Sequence, residues 1–381
     1  MMIAIKGGTL LTMDTPGIIE RGTILVEGEH LKRVGGAVRT PRDCTQIDAD
    51  GLYICPGFID AHTHIGLEEE IYRLEGNDVN EINDPVAPQL KAVDGVNFLD
   101  LAFKDALRGG VTRTLCLPGS ANIIGGQGVM LKNYASLPGD MVYREPWGLK
   151  AALGENPKRV YAGQKKTPVT RMANASLLRE ALFTGQKLLE KDKLESREAY
   201  KYQIVFRVLK KEIPLRVHAH RADDILTALR IKDEFKLELI IEHGTEAHLV
   251  AGELIRRGVP VCLGPLLVNR AKVEMKEVSF KNAARLRELG VEFCLITDHP
   301  VVPVEHLRVC ASLAVRAGLD DRAALEAITI NPARILKLDD ELGSIRPGKR
   351  ADLVAFEGHP LDFNSRVKWV MVDGRLWRDL D

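Results

Sequence analysis

The chain changes its apolar rhythm twice. From residue 1 to about 54, short runs with period-two character, Met2–Ile5, Leu10–Met13, Gly22–Val26, Leu31–Val34 and Gln46–Ala49, are broken at Gly7-Gly8, Glu27-Gly28 and Gly35-Gly36. That pattern predicts strands and turns without a helix. The last forty residues return to it, with Ala351–Phe356 and Val367–Val372 as strands and Pro347-Gly348-Lys349 and Asp373-Gly374 as turns. Neither end alone supplies enough strands to bury both faces of a sheet, so the two are expected to combine into one small β-sandwich. The expected division is 1–54, 55–345 and 346–381.

Between the ends, apolar runs alternate with segments of helical period. Strands are predicted at Tyr53–Ala61, Val111–Leu117, Gly148–Leu153, Leu215–His218, Leu237–Glu242, Val259–Leu263 and Glu292–Thr297. Helices are predicted at Gly95–Arg108, Ala175–Glu190, Glu198–Lys211, Ala222–Lys232, Ala247–Arg257, Asn282–Leu289, Val304–Ala317 and Arg322–Ile328. Such alternation is the mark of parallel β/α units. Seven of the eight strands of a closed barrel are present, and the eighth is expected within the Gly- and Pro-rich stretch 118–170.

The candidate chemistry sits at the ends of these strands. Pro56-Gly57-Phe58-Ile59-Asp60-Ala61-His62-Thr63-His64 ends in two histidines one residue apart, which on a strand share a face and can close on one metal ion. Val217-His218-Ala219-His220 repeats the spacing, Ile240-Ile241-Glu242-His243 ends another run, and Leu295-Ile296-Thr297-Asp298-His299 places an Asp at the end of a third. A lone His-x-His says little, but an ordered series of His-x-His, His, His and Asp on separate strands points to a metal centre. Imidazole nitrogens with one carboxylate suit Zn²⁺ or Fe²⁺, whereas Mg²⁺ or Ca²⁺ favours oxygen ligands. His248 and His299 are expected to brace the surroundings, and His30, His306 and His359 fall outside the pattern.

Composition removes other classes. The 381 residues carry 53 basic and 53 acidic side chains, for a formal net charge of +0, with no basic run, so nucleic acid is not an expected partner. No stretch of ~18 apolar residues exists and the N-terminus has no basic leader, so neither a membrane span nor a signal peptide is expected and the protein should be cytoplasmic. The six cysteines are scattered among apolar neighbours and read as reduced core residues.

Taken together, the Pro56–His64 motif, His218, His243, Asp298 and the tail Thr329-Ile330-Asn331-Pro332-Ala333, Gly343-Ser344-Ile345 and Gly348-Lys349-Arg350-Ala351-Asp352-Leu353-Val354 resemble the amidohydrolase superfamily, with closest likeness to its imidazolonepropionase and prolidase-like branch. The resemblance spans nearly the whole chain. It implies an α/β fold, a distorted TIM (β/α)8 barrel with a β-sandwich built from both termini. It also implies a small-molecule substrate, one or two Zn²⁺ or Fe²⁺ ions, and a homo-oligomer.

The resemblance assigns His62, His64, His218, His243 and Asp298 as metal ligands, Asp298 also as the general base, and His220 as a second catalytic residue that polarises the substrate oxyanion. A second ion would need a bridging group, for which Lys150, carboxylated as in many superfamily members, and Glu155, as in acetylglucosamine-phosphate deacetylase relatives, both stand open. Asn122 and Gln127, in the glycine-rich loop Asn122–Gly128, are expected substrate contacts, and Arg171 and Arg221 are candidates to pair with a substrate carboxylate. The loop lacks the Gly-Lys-Ser/Thr of a phosphate-binding loop.

The implied reaction is hydrolysis of an amide, amidine or cyclic C–N bond by activated water, with no Ser or Cys nucleophile. Heterocycle deamination is the alternative; it usually adds a Glu soon after the strand-five histidine, where this chain has Asp223 and Asp224. A non-catalytic assembly protein on the same fold is a further reading, opposed by the intact ligand series. Specificity is expected in the strand-end loops 66–94 and 118–170.

Overall fold

Strands come in three groups along the chain. In the computed structural model, described for residues 2–71, 74–190 and 197–378, the first group is β1 Met2–Leu11, β2 Ile18–Glu27, β3 His30–Gly35, β4 Thr45–Asp48 and β5 Tyr53–Pro56. The second is β6 Phe58–Thr63, β7 Val111–Cys116, β8 Ile124–Gln127, β9 Val129–Lys132, β10 Val142–Arg144, β11 Leu149–Ala152, β12 Leu215–Ala219, β13 Leu239–His243, β14 Val261–Leu263 and β15 Phe293–Leu295. β16 Leu353–Phe356, β17 Val367–Val372 and β18 Arg375–Trp377 close the chain. Two residues of the expected specificity loop 66–94, and the outermost residues of both terminal segments, lie outside the described residues.

The first and last groups share one eight-stranded sheet, in the order β18-β17-β16-β5-β1-β2-β3 with β4 on β1. β5 and β16 pair antiparallel, Ile54 opposite Ala355 and Cys55 opposite Val354, so the two ends of the chain meet directly. Period-two alternation decides what each face of this sheet does. Leu353, Ala355, Trp369 and Met371 enter a small core with Ile5, Leu10, Ile24 and Ile54. Their sequence neighbours Val354, Phe356, Val370 and Val372 join the large core of the central strands and helices instead.

The central strands form two sheets, β10-β9-β7-β6 and β15-β14-β13-β12-β11-β8. β6 and β7 run parallel, as do β11 to β15. β8 and β9 follow each other across Gly128 and lie antiparallel on β11 and β7 respectively, which carries the hydrogen bonding from one sheet to the other. At the opposite edges, Asp298 N donates to His62 O at 3.2 Å and His64 N to His299 O at 2.8 Å, joining the segment after β15 to the end of β6. Ile59, Ala61, Leu115, Met130, Ile240, Cys262 and Cys294 pack together as a core of the central strands, with Ile335 and Leu336 against it.

Two sequence expectations need correction. The single strand expected over Tyr53–Ala61 breaks at Gly57, leaving β5 in the terminal sheet and β6 in the central one. Gly57 N donates to Asp352 O at 2.9 Å, and the Thr112 side chain fills the space a Cβ would take. The stretch 118–170 yields not one further strand but β8, β9 and β10 besides β11. Those strands are only three or four residues long, and Gly125-Gly126-Gln127-Gly128 hides any alternation. All six cysteines are buried and free, in accord with the core reading. Among the described residues, no helix is long and apolar enough to cross a membrane.

Candidate metal centre

Because β6, β12 and β13 end near one another and the turn after β15 is tied to β6, the side chains at those ends converge. His62 Nε2 lies 3.2 Å and His64 Nε2 3.3 Å from the same atom, Asp298 Oδ1. Across the centre, the His243 ring is 4.9 Å from that of His62 and 4.4 Å from that of His218, centroid to centroid. Two sets of ligand-capable atoms result, His62 with His243 and Asp298, and His218 with His220 and His243. The histidines of both sets are buried, and Asp298 is half-buried.

The backbone bends to achieve this. The register of β6 against β7 slips between Asp60 and Thr63, the kind of irregularity that re-aims side chains at a strand end. His243 and Asp298 take left-handed backbone conformations, with φ of +73° and +56°. Asp and His tolerate that region better than most residues, yet its cost is generally borne where function demands a particular direction.

Fixed partners hold four of the imidazoles by Nδ1. His62 Nδ1 is 2.7 Å from Glu242 Oε2, His64 Nδ1 is 2.7 Å from Leu117 O, His220 Nδ1 is 2.8 Å from Thr245 Oγ1, and His243 Nδ1 is 2.8 Å from Gly264 O. A proton on Nδ1 leaves Nε2 with its lone pair, the form that ligates a metal. Burial pushes His220 down to about 3 and holds His218 and His243 below the ordinary histidine range, so these rings are neutral at physiological pH. Burial pushes the Asp298 carboxyl up, but His243, His62 and His64 outweigh it and hold the group well below the usual aspartate range. Neutral imidazoles at His218, His220 and His243 beside an ionised carboxylate form a donor set that fits a divalent transition metal.

Behind these residues stands a layer of buried charge. Glu242, beside His62, has its other oxygen in an ion pair with Arg216 Nη2 at 2.7 Å, and Arg216 Nη2 donates to Ala61 O at 2.7 Å. Asp60 accepts from His62 N at 3.2 Å and from Thr297 N at 3.1 Å, which ties the strand bearing His62 to the turn bearing Asp298. Lys150, fully buried on β11, has Nζ 3.0 Å from His62 Nε2, and burial pushes it down to about 8.

The other residues singled out from sequence fall elsewhere. Glu155 opens the helix Glu155–Gly163; its backbone N donates to Glu274 Oε2 at 3.0 Å, and its carboxylate joins neither ligand-capable set among the described residues. Asn122 accepts from Tyr161 Oη at 2.7 Å and donates to Glu81 O at 2.5 Å, while Gln127 donates to Pro88 O and Gln89 O at 3.3 and 3.4 Å. Both amides tie the 81–90 segment down, and neither lines the cavity above the histidines. Arg171 pairs with Asp224 at 3.0 Å and Arg221 with Asp223 at 2.9 Å, so each candidate carboxylate binder already has a carboxylate. His299 is buried and takes a hydrogen bond from Val304 N at 3.2 Å.

That cavity, of about 520 Å³, opens over His64, His218, His220 and Asp298 and is lined further by Asn80, Ser120, Asn156 and Lys272. Lys272 is its one lysine or arginine among the described residues, held by Asn156 Oδ1 at 2.8 Å. Sequence reading missed Arg216, Glu242, Lys272 and Glu274. For Arg216 and Glu242 a signal existed, since each interrupts an apolar run that has to be buried on both faces. Lys272 and Glu274 lie in a segment with no strand pattern, and Glu274 sits on the short turn Val273–Met275.

Comparison with known proteins identifies the family. The model of the Amidohydrolase family matches residues 53–377. An amidohydrolase from Thermotoga maritima MSB8, known from its crystal structure, is 42% identical with a TM-score of 0.95, over 99% of this chain and 100% of that one. The imidazolonepropionase of Paracoccus denitrificans (strain Pd 1222) is 24% identical over 96% of each chain. The amidohydrolase tasK of Hapsidospora irregularis is 28% identical over 93% of this chain, which spans only 39% of that protein's length.

Proposed function

The chain belongs to the amidohydrolase family, whose members hydrolyse C–N bonds, and from that premise we propose that it cleaves the C–N bond of a small molecule, a cyclic amide, N-acyl amino acid or dipeptide, with metal-activated water. The central strands are read as a distorted (β/α)8 barrel over 55–345, with 1–54 and 346–381 folding into its β-sandwich. The observation that carries the reading is the convergence of His62, His64 and His243 on Asp298, with His218 against His243, and with Nδ1 of His62, His64 and His243 each engaged so that Nε2 points into the cluster.

These residues would hold one or two ions of Zn²⁺ or Fe²⁺. Lys150 suits a bridging role better than Glu155, since its Nζ reaches His62 while the Glu155 carboxylate stays out of the cluster. A bound divalent ion would supply the positive charge that makes water nucleophilic near neutral pH.

The chain's own groups supply the rest. Asp298, ionised and 14% exposed at its side chain on the cavity floor, takes the proton of the attacking water and returns it to the leaving nitrogen. His220, expected to polarise the oxyanion, could do so only with its proton on Nε2 and with Nδ1 accepting from the Thr245 hydroxyl. Lys272, on the cavity wall, gives a substrate carboxylate a cation to meet, and Asn80, Ser120 and Asn156 offer neutral hydrogen-bonding groups. The reading is tested by screening metal-loaded protein against cyclic amides, N-acyl amino acids, dipeptides and aminated heterocycles. Turnover of one of the first three classes is expected; turnover of the heterocycles alone would replace hydrolysis of an amide with deamination.

A further inference from the structure

A second cavity, of about 350 Å³, opens at the end of the central strands opposite the histidines. Trp147, Pro214, Leu237, Pro260 and Glu292 line it and stand one or two residues before β11, β12, β13, β14 and β15 respectively. His218 and His243, by contrast, lie toward the far ends of β12 and β13. In barrels of parallel strands, residues at the first of these ends ordinarily serve stability, yet here the wall includes a buried cation.

That cation is Arg216, which lines the cavity, shares a strand face with His218 and has no exposed surface. Its Nη2 is engaged by Glu242 Oε1 and Ala61 O, both at 2.7 Å, but Nε and Nη1 have no acceptor among the described residues. Buried donors are as a rule satisfied, because an N–H taken out of water without a partner is costly. An anion brought to Arg216 from the cavity would complete the bonding of the guanidinium.

The other charges of the wall leave room for one such anion. Lys337 pairs with Glu238 at 2.5 Å, Arg257 with Asp233 at 2.7 Å and Glu212 with Arg207 at 3.0 Å. Lys232 and Arg334 enter no ion pair among the described residues, and Glu292 is the one carboxylate of the wall left to balance them, so a positive charge is in excess. Between these charges the wall is apolar, with Trp147, Ile240, Pro260, Ile335 and Leu336.

We propose that this cavity is an effector site for a small monocarboxylate with a branched or alicyclic apolar body, whose carboxylate meets Arg216 while its body packs on Trp147, Ile240 and Leu336. Lys232 and Arg334 attract the anion. Arg216 carries its effect onward, because it already holds Glu242, and Glu242 stands 2.7 Å from His62 Nδ1. A carboxylate on Arg216 takes up part of the positive charge that compensates Glu242. More of the glutamate's charge then falls on His62, which makes that imidazole a better metal ligand. Acid and metal therefore strengthen each other's binding, and they do so reciprocally. This coupling rests on the metal-centre reading above, whereas binding of the acid does not.

Calorimetric titration of apo and Zn²⁺-loaded protein with cyclohexanecarboxylate decides it. Fluorescence of Trp147, with Trp147→Phe as the blank, locates the ligand. The expected Kd is on the order of 1 mM or tighter. Cyclohexanecarboxamide, which lacks the charge, and acetate, which lacks the body, should each bind about 10-fold or more weakly than the acid. Zn²⁺-loaded protein should bind the acid about 5-fold or more tightly than apo protein. Apo Arg216→Met, checked for fold by circular dichroism, should lose binding. If that variant does not fold, Lys232→Gln/Arg334→Gln, altered only at the mouth, should weaken binding by about 3-fold or more. No binding to wild type, or carboxamide or acetate bound as tightly as the acid, would overturn the site. Equal affinities of apo and Zn²⁺-loaded protein would overturn the effector role. Wild type that takes up no Zn²⁺ would overturn the metal reading and the coupling with it, and the titration of apo protein would still decide the site.

Discussion

His62 Nδ1 lies 2.7 Å from Glu242 Oε2, with both side chains fully buried. Glu242 is held in turn by Arg216 at 2.7 Å, so a chain of charge runs from the interior of the central strands to the imidazole that faces Asp298. The carboxylate fixes the tautomer and direction of His62 and raises its basicity as a ligand.

Glu242→Gln keeps the shape of this link and removes its charge. Metal affinity should fall by about 10–100-fold, measured by competition with a chromogenic chelator. Unchanged affinity would mean that His62 needs no anion behind it.

Asp298→Asn should separate chemistry from binding. The amide keeps an oxygen near His62 and His64 but cannot take a proton from water, so a metal-loaded variant should lose about 10²–10⁴ in kcat and retain its ion. Near-normal kcat on the substrate found by screening would move the base elsewhere, with His220 the first to test.

Arg113 joins the two parts of the molecule. It projects from β7 with no exposed surface and bonds Asp352 at 2.6 and 3.1 Å and Asp373 at 2.5 Å, both in the C-terminal part of the terminal sheet region. Arg113→Met takes the shared guanidinium from two buried carboxylates, leaving Asp373 with Arg350 and Asp352 with a backbone N–H, and should cost about 3 kcal/mol, measured by urea unfolding. Burial pushes Asp373 up, but Arg113 and Arg350 outweigh it and hold the carboxyl below the ordinary aspartate value of 3.8. A carboxyl depressed in the folded state stabilises above its unfolded pKa and loses that contribution as pH falls through the folded value. The Arg113 variant should therefore lose less stability than wild type on going from neutral pH to below about 4.

At Gly57, where the expected single strand divides, a methyl group would collide with the Thr112 side chain. Gly57→Ala should destabilise by about 1–3 kcal/mol, and Thr112→Ala in the same chain should recover most of the loss. Equal melting temperatures for Gly57→Ala and wild type would show that the strands can separate there at little cost.

What the sequence makes legible follows from how local each signal is. The His-x-His pair and the strand ends at His243 and Asp298 can be read because a strand's alternation and its terminus are set within a few residues. The family itself is legible for the same reason, since its motifs lie on strand ends and survive as short words. The break at Gly57 is not legible, because a run of apolar residues says nothing about which sheet each half joins; that depends on Asp352 and Thr112, far along the chain. Asn122 and Gln127 read as substrate contacts because they occupy a strand-end loop, whereas in the fold their amides bond Tyr161 and backbone carbonyls of another loop. Glu274 and Lys272 reach the site from a segment without periodicity, and only the folded chain brings them to His218 and His220.

The central claim is that these strand-end histidines hold a metal, and the most direct measurement is elemental analysis of the purified, metal-loaded protein beside His62→Ala/His64→Ala. The account predicts about one or two equivalents of Zn²⁺ or Fe²⁺ per chain in wild type. It predicts loss of most of that metal in the double variant, which keeps its circular dichroism spectrum because the apolar core of Ile59, Leu115, Ile240 and Cys294 does not depend on those two side chains. A wild-type protein that takes up no metal, or a folded double variant with normal metal content, would contradict it.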